Sequence, residues 1–143
     1  MSEAFLKYMK ERFGIGADAF SGLVFEELSK GRLFAYSDSG KLTVDRTLNR
    51  GLPMARIGSN MSIKPTTVMI QLFGKRATEN VVQLTKEQAE SFAKGEETSP
   101  ETDSEDGYVI TSYNGVPLGC GHLNSGRLRS MVPKAKRSRV SLL

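Results

Sequence analysis

At 143 residues, with 38% apolar and 25% charged residues, the chain can build its own core and needs no covalent staple. A single cysteine, Cys120, excludes an internal disulfide and a cysteine-rich zinc site, and suits a reducing compartment. The net charge of +4 conceals a division along the chain: nine basic and seven acidic groups in residues 1–60, five and nine in 61–107, six and none in 108–143.

No apolar run reaches the roughly 18 residues of a membrane span. The opening MSEAFLKYMKERF lacks the apolar core and cleavage site of a signal peptide. A soluble cytoplasmic protein of one domain, or of two small ones, is expected.

In chain order, residues 3–13 place Phe5, Leu6, Met9 and Phe13 on one helical stripe, ended by Gly14 and Gly16. Asp18 is expected to cap a short turn before Phe20. LVFEEL, RLFAYS and KLTV are expected as strands, with turns at Lys30-Gly31 and Ser39-Gly40. A short strand follows at Met54–Ile57. Pro65 suits the first turn of a helix through VMIQLFG to Gly74, although Thr66, Thr67, Val68 and Ile70 also suit a strand.

NVVQL (80–84) is expected as a strand. Thr85 and Gln88 form a capping box opening the helix Lys86–Lys94, with Gly95 at its C-terminal cap. EETSPETDSEDG is expected as an exposed, partly mobile loop. GYVITSY and VPLGCGHL are joined at Asn114-Gly115, the strongest hairpin pattern in the chain, and RLRSMV follows a turn at Asn124-Ser125-Gly126. The fold class is α+β, with a boundary between about Gly74 and Thr78: a small α+β unit over 1–75 and a β unit with one main helix over 76–143.

Several chemistries are weak. Cys120 and His122 share a strand face by period-two alternation, but a half-buried cysteine beside an incidental histidine outweighs a catalytic dyad. One His and one Cys cannot close a zinc shell, and Glu96–Asp106 lacks the spacing of a calcium loop. No phosphate-binding glycine motif is present, and Gly119-Cys120-Gly121 suits close backbone approach or a bulge. The basic end is informative. Arg127 and Arg129 share a strand face, and Lys134, Lys136, Arg137 and Arg139 continue the charge. Phosphate binding and a solvated basic terminus both fit that composition. Tyr108 and Tyr113 fit base stacking, but core positions suit them better.

Four pieces carry a resemblance: Gly95-Glu96-Glu97, GYVI (107–110), NGVPLGCG (114–121) and GRLRSMVPK (126–134). Together they resemble the PUA-like RNA-binding domain of Sun-type RNA cytosine-5 methyltransferases. NRGLPMAR (49–56) and KPTT (64–67) are similar to the linker preceding that domain, so the resemblance spans about residues 50–134. Arg129-Ser130 departs from the family's usual Lys-Asn. The family's catalytic cysteine and cofactor-binding loop have no counterpart in these residues. The resemblance implies a PUA-like mixed β pseudo-barrel, no cofactor, no metal and no enzymatic activity. It implies RNA contacts at Lys94, Gly95, Arg127 and Arg129, with Lys134, Lys136 and Arg137 as electrostatic accessories. The expected partner is structured rRNA or tRNA in RNA modification or ribosome biogenesis, with an RNA methyltransferase or ribosome-assembly factor as a further partner. A protein–protein adaptor giving RNA specificity to a separate methyltransferase is the alternative.

Overall fold

The computed structural model describes residues 2–37 and 51–132. The expected turn at Ser39-Gly40, the strand KLTV, and Lys134, Lys136, Arg137 and Arg139 lie outside the described residues. Helix α1 (Ser2–Phe13) buries Phe5, Met9 and Phe13 on the predicted stripe. Strands β1 (Leu23–Leu28), β2 (Arg32–Ser37), β3 (Leu52–Ile57) and β4 (Ile63–Pro65) form an antiparallel sheet in that order. The β1–β2 turn uses Lys30 and Gly31, both with positive φ (63° and 71°). Phe5, Phe20, Phe25 and Phe73 converge beneath this sheet, with Phe20–Phe73 ring centroids 4.9 Å apart.

Two expectations change here. Asp18 caps nothing: the short 3-10 turn Ala17–Phe20 has Gly16 at its N-cap, and the Asp18 carboxylate instead pairs with Arg76 at 2.8 Å. Pro65 ends β4 and does not open a helix. Thr66 is the N-cap of α2 (Thr67–Phe73), its hydroxyl accepting from the Met69 amide at 3.0 Å. A capping hydroxyl supplies the partner the first turn lacks, which proline cannot do.

The second sheet contains β5 (Val81–Gln83), β6 (Gly107–Tyr113), β7 (Val116–Asn124) and β8 (Arg127–Ser130), in that order. It is mixed, because β5 runs parallel to β6 and the other pairs are antiparallel. The intervening helix α3 (Lys86–Lys94) has the complete Thr85–Gln88 capping box, and Gly95 ends it in the left-handed region at φ 85°. Asn114 and Gly115 both have positive φ, as a two-residue hairpin turn requires. The next turn is also two residues, Ser125-Gly126, since Asn124 pairs with Arg127 inside the ladder.

The packing joins the sheets. Ile110 and Cys120 of the second sheet belong to the buried cluster centred on Phe5, Met54 and Ile70. Helix α2 lies on β7, where a Cβ on Gly119 would stand 2.8 Å from Val132 and 3.4 Å from Thr67. The Gly-x-Gly of β7 is therefore a packing device, consistent with close backbone approach.

At the seam, the Phe13 carbonyl accepts from the Thr78 and Glu79 amides, and the Asn80 side chain donates to the Arg12 carbonyl at 2.7 Å. The Arg12 side chain, 12% exposed, donates to the Tyr108 and Glu105 carbonyls at 2.9 and 2.7 Å. Removing a charged donor from such a position costs about 2–3 kcal/mol. Arg12→Ala should lower stability by about that amount in urea unfolding, whereas Lys10→Ala on the exposed face of α1 should leave it within about 0.5 kcal/mol.

Candidate nucleic-acid interface

Strand β8 presents Arg127 and Arg129 outward while Leu128 points into the core. The ladder sets Arg129 opposite His122, and His122 opposite Tyr108. A row of Tyr108, His122 and Arg129 thus crosses three strands on one face. The Tyr108 and His122 rings meet edge to face at 5.3 Å. Arg127 sits opposite Asn124 at the turn end of this row. A shallow depression of about 270 Å³ is lined by Glu97, His122, Asn124, Arg127 and Arg129.

The chain leaving Gly95 reaches the same edge. Three residues past it, Thr98 pairs with Leu128 through two backbone hydrogen bonds of 3.0 and 2.8 Å. This bridge ties the segment that follows α3 to β8, and Glu97, not Lys94 or Gly95, lines the depression with the two arginines. The same bridge alters two expectations. The segment after α3 is fastened, with Pro100 buried, the Glu105 amide held by Asn80 and the Asp106 carboxylate accepting from the Ser125 amide. The basic edge is also not uniformly positive, because Glu97 shares the depression with Arg127 and Arg129. Sequence reasoning set His122 aside and missed Asn124 and Glu97. Period-two alternation from Arg129 through the two-residue turn was the available clue to the first two.

Tyr108 is half-buried against the N-terminal cluster, and Tyr113 against the cluster around Leu118 and Leu128. Their packing agrees with the core reading, although Tyr108 keeps its edge on His122. Cys120 is 1% exposed, and burial pushes its thiol from 9.0 up to about 12. The Lys64 charge opposes that rise only in part. Such a thiol is no nucleophile at neutral pH. Among the described residues, no group of three His, Cys, Asp or Glu side chains converges to hold a metal ion. No helix among them is long and apolar enough to cross a membrane.

Residues 79–138 match the family model of the methyltransferase RsmF PUA domain. The match takes in the second sheet and the helix packed with it. A curated relative, the ribosomal RNA small subunit methyltransferase F of Aeromonas salmonicida (strain A449), is 32% identical over 62 residues. That match covers 43% of this chain and 13% of the relative, so the chain spans only a small fraction of the relative's length. The matched region takes in α3, Gly95, Glu97, the Thr98–Leu128 bridge and both arginines of β8.

Two outcomes are expected. A carboxylate near an exposed cationic site is worth about 0.2–1 kcal/mol. Glu97→Gln should therefore strengthen binding of a polyanion about 1.4- to 5-fold in fluorescence anisotropy at low salt. The folded state holds the Cys120 proton up to about pH 12, and the unfolded thiol releases it near 9.0. Stability should then fall as pH rises through that window. This alkaline loss should shrink in Cys120→Ala, and the native thiol should resist iodoacetamide at pH 7 until the chain unfolds.

Proposed function

We propose that this chain is a non-catalytic RNA-binding module, with residues 1–75 as an α+β platform and 76–143 as the PUA-like domain that contacts structured rRNA or tRNA. The observation that carries the reading is the depression where Glu97, carried in by the Thr98–Leu128 bridge, meets His122, Arg127 and Arg129. A cation pair beside a half-exposed imidazole suits phosphates and unstacked bases. A left-handed glycine at the helix end leaves the main chain accessible to a nucleotide, because no Cβ intervenes. Lys94 stands one residue before it, and Lys134, Lys136 and Arg137 follow the folded face in sequence. The buried, proton-retaining Cys120 weighs against covalent catalysis within these residues. The similarity to a ribosomal RNA methyltransferase supports a place in rRNA modification.

Anisotropy with bulk tRNA and rRNA fragments across a salt series tests this. Arg127→Ala and Arg129→Ala should each weaken binding regardless of RNA sequence and reduce the salt slope by about one. Absence of binding at low salt overturns the reading. If an RNA methyltransferase co-purified with a chain that had no RNA affinity of its own, the role would be that of an adaptor.

A further inference from the structure

The outer face of the first sheet carries a feature that the PUA match does not reach. In the β2–β3 ladder Arg32 stands directly opposite Arg56, and in the β3–β4 ladder Arg56 stands directly opposite Lys64. Three cations therefore cross three adjacent strands in one row. Their inward-pointing neighbours Leu33, Ala55 and Pro65 are buried, so the row faces away from the core. The Arg56 guanidinium donates to the Lys30 main-chain carbonyl at 3.5 Å.

Like charges placed directly opposite across strands destabilise a sheet. Here the arrangement repeats twice in succession. Among the described residues the ion pairs are Lys7–Glu11, Arg12–Glu105 and Arg76–Asp18, and none involves the row. Glu26, on β1, lies opposite Phe34, two residues along the ladder from Arg32 and on the same outer face. Arg32 is held in place by neutral groups: it donates to the Ser29 carbonyl and hydroxyl, and its guanidinium lies 6.0 Å over the Phe34 ring.

We propose that this row is a second phosphate-contacting surface for RNA, separate from the β8 face. Strands spaced about 4.8 Å apart set the three charges over about 10 Å, a span suited to successive phosphates and too regular for a single small anion. Phe34, half-buried on the same outer face, adds an aromatic surface of the kind that accompanies cations where single strands bind. The row also runs toward the second sheet. Lys64 lies on the edge strand, whose chain continues directly into α2 on β7. One RNA spanning both surfaces would neutralise charge on each.

The inference rests on the RNA-binding reading, and the full chain tests both. Arg56→Gln with Lys64→Gln should lower affinity for a tRNA or rRNA fragment about tenfold at low salt. The double variant should also reduce the slope of log affinity against log salt by roughly 1.4 to 1.8. Its melting temperature should hold or rise, since an opposed pair is relieved; a merely structural role would lower it. Unchanged affinity and slope in this variant, with wild-type binding intact, overturn the row alone. No wild-type binding overturns the RNA reading and the row with it. Loss of affinity in the row variant but not in Arg127→Ala/Arg129→Ala keeps the row and removes the β8 face. Row-dependent retention on polyglutamate or anionic vesicles without any effect on RNA also overturns it.

Discussion

The structure turns on how the last turn of α1 is clasped to the start of the second sheet. Arg12 donates to the carbonyls of Glu105 and Tyr108, Asn80 donates to the Arg12 carbonyl, and the Phe13 carbonyl takes the amides of Thr78 and Glu79. Helix ends leave carbonyls without intrahelical partners, and here the orphans of α1 are satisfied by the chain entering β5. Asn80 adopts φ 54° to do this while also holding the Glu105 amide. The clasp fixes where β6 begins. It therefore places Tyr108, the first member of the row that ends at Arg129.

A second constraint acts from below. Gly119 lets α2 and Val132 close onto β7, and a Cβ on Gly121 would meet Leu128 at 2.6 Å. These contacts draw β7 and β8 down so that Leu128 is buried and its neighbours Arg127 and Arg129 must point out. The Thr98 bridge then covers part of the free edge of β8 and carries Glu97 into the depression. The electrostatic character of the face is thus a balance of two arginines and one nearby carboxylate. An exposed strand edge invites unwanted pairing, and the bridge blunts it.

Local chemistry was legible where it is self-contained. The stripe of α1, the Thr85–Gln88 capping box, the left-handed Gly95 and the Asn114-Gly115 hairpin all follow from residues within a few positions of one another. The expectation failed where a partner lay far away in sequence. Asp18 caps nothing because Arg76 claims its carboxylate across 58 positions. Pro65 ends a strand because β3 pairs with it, and Thr66 does the capping in its place.

Composition and spacing alone settled that the chain is α+β, that its acidic and basic groups are segregated, and that Arg127 and Arg129 share one strand face. These depend on periodicity and turn chemistry, which are short-range. Only the tertiary structure decided that His122 and Tyr108 line up with Arg129, that Glu97 enters the same depression, and that Arg32, Arg56 and Lys64 form one row. Each of those depends on strand register between segments far apart in the chain. Register is set by packing on a shared core, which no local stretch of sequence contains.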